Sequence, residues 1–497
     1  MNGVSENRDA VAATGLWRAF ARGVRANFLG EVAVQSLRVG GIVILARKLA
    51  PANFGLLRVL LIVGAFASLF CESGIPDALI QREELTPEHE ATAWWLSLGL
   101  VGTTVTILYC AAPLIARLMA MPRLSFAIRL ICLPLLLEGT AIVSVARLSR
   151  ALKFNALALA DVVAESAFVT TACILVWRGQ PVWSLPGGLA ARFAAHASVV
   201  WLADRRIPFG RPRLAAARDL GRFAVSVLGG RVITIASGNA DFLLVGRLLG
   251  GAALGYYSIA WDLLRFVPDR LHRVVGRVAL PTFCKLRDEN QELGSAFCGF
   301  IQYLARIILP LAACVALAAP QLLTTIYGRQ WLPAATPMRL LALGLALGGL
   351  RMSHPPIYYT KNYPSMDIFL NGGRLILIAS GVMATAGIGL AAVSMSVGAV
   401  EGLIAIVGQY VICLLVGLRL RDVLVAIAPS LRVTAVCAIA TAIGVAIVMA
   451  GGLSGPLALL SLAPLPALAF LWLEGGDLKE MVLSAFGRVT VPSAGRA

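Results

Sequence analysis

The chain has 497 residues, of which 59% are hydrophobic and 14% are Asp, Glu, Lys or Arg, and its mean hydropathy is +0.82. A soluble globular domain carries about 25% charged residues, so soluble classes are excluded; a single-span receptor is excluded as well, because the apolar excess runs the whole length. A β-barrel is excluded because its strands alternate at period two, whereas stretches such as 311–319 are continuously apolar. At roughly 20 apolar residues per membrane-spanning helix, the composition sets a ceiling of about fourteen spans, and the expected class is an all-α polytopic membrane protein.

The first 27 residues are polar and contain Arg8, Arg18, Arg22 and Arg25. The apolar run that follows lacks a small-residue cleavage site, so the first helix is expected to be retained. Spans are predicted at 28–47, 56–76, 91–119, 124–148, 157–177, 182–203, 222–249, 252–280, 296–327, 334–357, 366–390, 394–418, 430–451 and 454–474. With the N-terminus inside, even-numbered loops should hold the surplus cations. They do so at Arg147, Arg150 and Lys153, at Arg205 to Arg222, at Lys285 and Arg287, and at Arg419 and Arg421. Arg47, Lys48 and Arg58, after span one, run against the pattern. The segments 1–27 and 475–497 then form cytoplasmic tails of a multi-pass protein.

The formal charge is +17, from 43 Lys and Arg against 26 Asp and Glu. Arginine dominates, which suits bidentate capture of phosphate or carboxylate but also follows from genomic base composition. Nucleic acid is not the expected partner, since that needs a solvated basic face and most of this chain sits in lipid. The nine cysteines fall mostly in apolar runs and read as small core residues, and the four histidines share no metal-ligand spacing. No loop is long enough for a folded domain of the usual 50 or more residues. Gly-Lys never occurs, which excludes a phosphate-binding loop and an attached ATPase. No cofactor is expected, and energy, if needed, would come from a proton or sodium gradient or from a partner.

Residues 47–55 (RKLAPANFG) align without a gap on 247–255 (RLLGGAALG), matching Arg, Leu, Ala and Gly at 47/247, 49/249, 52/252 and 55/255. Both copies follow an odd-numbered span. The offset of 200 divides the chain into a first six-helix lobe at 28–203, a basic linker at 204–221 and a second lobe at 222–418, with two further helices in 419–474. Duplicated halves are a common transporter architecture. Gly229-Gly230, Pro268, Pro310 and Pro355-Pro356 are expected to loosen helices in the second half.

The stretches LARKLAPANFG (45–55), LFCESGIPDALIQREELTPEHEATAWWL (69–96), SRALKFNALALAD (149–161), ADFLLVGRLLGGAALGYYSIAWDLL (240–264), the Leu-Pro at 280–281 and WLPAATPMRLLAL (331–343) resemble the signature of polysaccharide-export flippases. These are the Wzx-type, PST-family members of the multidrug/oligosaccharidyl-lipid/polysaccharide superfamily. The resemblance covers spans one to ten, and Glu72 stands where the family usually has Asp. It implies a two-lobed, V-shaped bundle that carries undecaprenyl-diphosphate-linked oligosaccharide from the cytoplasmic to the periplasmic leaflet by alternating access. It implies the bacterial inner membrane as location, and as partners the lipid-linked oligosaccharide and membrane lipids; a polysaccharide polymerase and a chain-length regulator are further candidate partners.

An ionisable residue at bilayer depth is costly and marks a functional candidate. Arg38, Arg231, Arg306, Arg351 and Arg374 lie in predicted spans of both halves and are expected to line a cationic central cavity that holds a diphosphate head. The alternative for each is pairing with a nearby acid or snorkelling to an interface. Asp161 and Glu165, four residues apart on one helix face, form a like-charge pair expected to share a proton. Together with Asn239 and Asp241 they are candidates for ion coupling. Gln81 and Arg82, in the loop after span two, are candidates for a cytoplasmic gate.

Three other functions compete with the flippase. A cation-coupled drug exporter of the same superfamily would suit an acidic cavity. An integral-membrane polymerase or glycosyltransferase usually needs a long periplasmic loop or an acidic metal motif, which this chain lacks. The last is a non-transporting scaffold of a secretion complex. The chain is therefore expected not to be an enzyme.

Overall fold

A computed structural model describes residues 29–71, 86–206 and 232–451, with isolated positions between and beyond them; the side chains of 69–71, 270 and 272–278 are not among those described. The helices, in chain order, are α1 (Leu29–Ala46), α2 (Pro51–Cys71), α3 (Pro87–Leu118), α4 (Pro122–Arg150), α5 (Phe154–Trp177), α6 (Pro181–Asp204), α7 (232–248), α8 (Gly251–Lys285), α9 (Asn290–Ile326), α10 (Ala335–Gly348), α11 (His354–Thr360), α12 (Pro364–Thr385), α13 (Leu390–Val416) and α14 (Leu420–Ala450). No strand occurs among the described residues. Ten helical segments there are long and apolar enough to cross a membrane, counting Arg329–Thr360 as one. The protein is an all-α polytopic membrane protein. The expected fourteenth span, 454–474, lies almost wholly outside the described residues.

Several helices begin earlier than the apolar runs suggest, because α2, α3, α4, α6 and α12 open on proline. Proline's fixed φ suits the first helical turn, and its missing N–H costs nothing where no intrahelical acceptor exists. Gly179, Gly250 and Gly417 take positive φ just beyond helix ends, closing them in the left-handed conformation that glycine adopts without strain. Large apolar side chains such as Leu133, Phe369 and Ile376 point outward, as a lipid-facing surface requires. Among the cysteines, Cys132, Cys413 and Cys437 are buried, but Cys110 and Cys284 are exposed; an apolar helix has a lipid face on which a small thiol is equally acceptable.

Packing divides the chain into two units, Met1–Ser258 and Ile259–Ala497. The division falls within α8, whereas the sequence expectation drew a linker at 204–221; those lobe boundaries stand as a proposal. In the first unit α3 packs on α4, α6 packs on both α4 and α5, and α2 touches α3, α4 and α6. In the second, α9 packs on α10 and α14, and α13 on α10 and α12, around a core that includes Phe297, Ile301, Leu304, Ile308, Ile357 and Ile412. The predicted span ten is broken. The 3-10 turn Gly349–Ser353 separates α10 from α11, whose first turn holds Pro355 and Pro356. Pro268 and Pro310, in contrast, sit inside continuous helices.

The sequence repeat has a physical counterpart in the first unit. Helices α2 and α8 begin 200 residues apart, and their first turns press backbone against backbone. A Cβ on Gly55 would lie 2.0 Å from the Gly251 carbonyl oxygen, and a Cβ on Gly255 would lie 2.0 Å from that of Pro51. Residue 55 of one copy thus meets 251, and 255 meets 51. Such reciprocity is the mark of a two-fold contact between equivalent elements. Glycine is required at both places because any side chain would force the helices apart. We expect Gly55→Ala and Gly255→Ala each to destabilise the fold by about 1–3 kcal/mol, the usual overpacking cost, read as a lower unfolding temperature in detergent. Gly99→Ala, inside α3 where nothing lies within 4 Å, is the control and should not lower it, since alanine favours a helix interior over glycine.

Candidate functional site

Each unit contains a buried glutamate flanked by two arginines. In the first, α5 and α6 run antiparallel, and each carries two ionisable residues four apart, hence on one face. Asp161 lies opposite His196 and Glu165 opposite Arg192, so the acidic face of α5 meets the basic face of α6. Glu165 is 3% exposed. Arg38, on α1, addresses it in a fork, with Nε 3.3 Å from Oε1 and Nη2 3.1 Å from Oε2. Arg192 Nε lies 3.7 Å from Oε2. His196 is bracketed by Glu138 of α4, 2.7 Å from Nδ1, and Asp161, 3.7 Å from Nε2. The expected proton-sharing pair of Asp161 and Glu165 is thereby replaced by two acids that each face a different basic group.

In the second unit Glu401, on α13, is 4% exposed and Arg374, on α12, 2%. Arg374 Nε donates to Glu401 Oε1 at 3.0 Å, and Nη2 contacts the same oxygen. Arg351 sits in the 3-10 turn between α10 and α11, with Nη2 3.7 Å from Glu401 Oε2 and Nη1 donating to Asn371 Oδ1 at 3.3 Å. Asn371 in turn donates to Asp367 Oδ1 at 3.2 Å. The broken span therefore does chemical duty: the turn presents Arg351 sideways to Glu401. Arg374 is sealed by packing and held by Glu401, whereas the Arg351 side chain is 28% exposed.

The remaining candidates lie apart from these clusters or outside the description. Asp241 is fully buried and accepts a hydrogen bond from Tyr257 Oη at 2.8 Å, while its Oδ1 has no hydrogen-bond partner. Asn239, two residues away, donates to its own helix at the Ile235 carbonyl and does not join Asp241. Arg306 is half-buried on α9. Arg231, Gln81 and Arg82 lie outside the described residues.

Glu138, Arg192, His196 and Glu401 are the partners that sequence reasoning missed. For Arg192 and His196 a signal existed, since their i, i+4 spacing mirrors that of Asp161 and Glu165 on the neighbouring helix. Glu401, one acid in an apolar run, gave the same signal as the arginines, but nothing in the chain said which of them it meets. At the end of α4, Arg147 contacts Glu90 of α3 at 3.1 Å and Asp204 of α6 at 2.5 Å, tying three helices of the first unit together.

Removing one member of a buried ion pair costs about 3–5 kcal/mol, because the other charge is left uncompensated. Glu401→Ala should therefore lose most folded protein, measured as monodisperse yield and unfolding temperature in detergent. The double variant Arg374→Met with Glu401→Leu should recover most of that loss.

The sequence and the fold both have known counterparts. A family model described as "Polysaccharide biosynthesis protein" matches residues 44–336. The chain is 24% identical to the teichuronic acid biosynthesis protein TuaB of Bacillus subtilis (strain 168), over 63% of this chain and 65% of that one. It is 24% identical to the lipopolysaccharide biosynthesis protein WzxC of Escherichia coli (strain K12), over 70% and 73%. It is 26% identical to the succinoglycan biosynthesis transport protein ExoT of Rhizobium meliloti (strain 1021), over 66% of each. The chain thus spans about two thirds to three quarters of the length of these relatives. In fold it resembles the lipid II flippase MurJ in an inward closed conformation, with a TM-score of 0.68 and 13% identity over 93% of this chain and all of that one. It also resembles an inward-facing MATE family transporter of the MOP superfamily, with a TM-score of 0.62 and 16% identity over 77% of this chain and 95% of that one. With more than half of its length matched by the family model, this chain belongs to the polysaccharide biosynthesis protein family of helical membrane proteins.

Proposed function

We propose that this protein is a flippase that moves undecaprenyl-diphosphate-linked oligosaccharide repeat units from the cytoplasmic to the periplasmic leaflet, for assembly of an exopolysaccharide or O-antigen. It works by alternating access in the bacterial inner membrane, with both termini cytoplasmic and no catalytic residue. The relatives named for teichuronic acid, lipopolysaccharide and succinoglycan support the cargo class.

The observation that carries the reading is the grip of Glu165 on Arg38 and Arg192. The carboxylate is buried while the two arginine side chains remain 36% and 38% exposed. A glutamate behind two guanidinium groups fixes their planes and leaves them outward N–H donors. A diphosphate takes such donors in pairs, which a point charge cannot match. Arg351, braced by Glu401 and Asn371, offers the same chemistry in the second unit, and Arg374 serves there by holding Glu401. Arg231 and Arg306 stay in the proposal as further headgroup contacts, Asp241 and Asn239 as ion-coupling groups, and Gln81 and Arg82 as gate residues. A polysaccharide polymerase and a chain-length regulator are the proposed protein partners.

One observation favours a cation-coupled exporter as the second reading. The first unit gathers Glu138, Asp161 and Glu165 around Arg38 and Arg192, more carboxylates than guanidinium groups. Deletion of the gene separates the two. A flippase deletion accumulates lipid-linked repeat units on the cytoplasmic leaflet and loses surface polymer, whereas an exporter deletion leaves polymer intact and raises drug sensitivity.

A lost charge-assisted hydrogen bond is worth about 1.5–3 kcal/mol. Arg38→Ala and Arg192→Ala should therefore each lower surface polymer about 10–100-fold with normal membrane insertion, and lysine at either position should restore only part of it. Wild-type polymer from both alanine variants would remove this pair from the transport path.

A further inference from the structure

His196 is a basic residue that the headgroup reading does not use, and its geometry makes a specific demand. Nδ1 lies 2.7 Å from Glu138 Oε1, and Nε2 lies 3.7 Å from Asp161 Oδ1. A neutral imidazole donates from one nitrogen only, while the protonated ring donates from both. Both contacts are ion-pair contacts, with no hydrogen bond formed at Nδ1, and an imidazole bracketed by two carboxylates is compensated on both sides only as the doubly protonated cation. The neutral ring would turn a lone pair toward one of two negative charges. Glu138 depends on this contact, since its Oε2 is sealed from solvent without a hydrogen-bond partner.

The surroundings sharpen the demand. From α1 come Glu31 and Arg38, from α4 Glu138, from α5 Asp161 and Glu165, and from α6 Arg192 and His196 itself. The only charged residue of α2, Arg58, instead stacks over Phe242, its guanidinium carbon 3.6 Å from the ring centre. Both arginines of the cluster reach Glu165. With His196 neutral, Glu138, Asp161 and Glu165 stand against the two guanidinium groups of Arg38 and Arg192, and the proton on His196 supplies the third positive charge. The Asp161 side chain is 63% exposed.

We infer that His196, Glu138 and Asp161 form a proton-binding clasp joining α4, α5 and α6, which closes when His196 takes up a proton and loosens when the proton leaves. Histidine is suited to this because its charge changes within the physiological pH range. The clasp deepens the transport reading, on which its consequence rests: the proton taken up at His196 is the ion that couples flipping to the membrane gradient. Asp161 and Glu138 are positioning residues for that proton and not headgroup ligands.

Two arms test it on the full-length protein in lipid nanodiscs and in proteoliposomes. Nitrogen NMR of ring-labelled histidine, assigned by comparison with His196→Gln, reads the protons on the ring without any cargo. The expected result in neutral buffer is a His196 signal with both nitrogens protonated, reverting to a single-proton signal in Glu138→Gln. A singly protonated His196 in the wild type would overturn the clasp while leaving the flippase reading untouched. In proteoliposomes, an imposed pH gradient should accelerate flipping of a fluorescent diphosphate-linked oligosaccharide lipid several-fold in the wild type and not at all in His196→Gln or Asp161→Asn. Retained pH-gradient response in His196→Gln, or acceleration by sodium in place of protons, would overturn the coupling role. If the wild type flips nothing while NMR reports the doubly protonated ring, the transport reading fails and the proton site stands.

Discussion

A carboxylate placed among apolar helices cannot remain charged alone, since burial of an unpaired ion costs more than a protein of marginal stability can bear. Glu165 and Glu401 meet this constraint in the same way, each with two guanidinium groups from different segments. The pairing is what lets arginine stand inside the bundle at all. It also fixes which donors remain for a visitor. At Glu165 both arginines keep exposed ends; at Glu401 one arginine is consumed by packing and the other, in a break between helices, keeps part of its surface.

The two units differ in electrostatic character. Around Glu165 the acids outnumber the arginines, and a histidine stands between two of the surplus carboxylates. Around Glu401 the arginines outnumber the glutamate they share, with Asp367 engaged through Asn371. One cluster therefore sets an imidazole between carboxylates, and the other sets two guanidinium groups on one carboxylate. The two glutamates do not occupy equivalent places in the repeat, since one is on α5 and the other on α13, so the shared chemistry is not a simple product of duplication.

Much of the architecture could be read from the amino acids because membrane helices advertise themselves by length and apolarity. The repeat at 47/247 was legible too, and its meaning became physical when Gly55 and Gly255 were found against each other's helix starts. Arg38, Glu165, Arg351 and Arg374 stood out as charges in apolar runs. Their partners were harder, because a helix apolar on all sides gives no periodic sign of which face points inward. Glu401 could be matched to Arg374 only once α12 and α13 were seen side by side. The reverse holds for Asp161 and Glu165, whose spacing was plain but whose bases come from α6 through the antiparallel register and, for Glu165, also from Arg38 on α1.

The central claim is that paired guanidinium groups recognise the diphosphate of a lipid-linked sugar. The most direct measurement reconstitutes the purified protein in liposomes with undecaprenyl-diphosphate-linked oligosaccharide and, separately, with the same oligosaccharide on a neutral polyprenyl ether. Passage between leaflets is followed by a glycosidase added outside. The account predicts rapid protein-dependent exposure of the diphosphate lipid and background exposure of the neutral one. Equal rates for both lipids would contradict it.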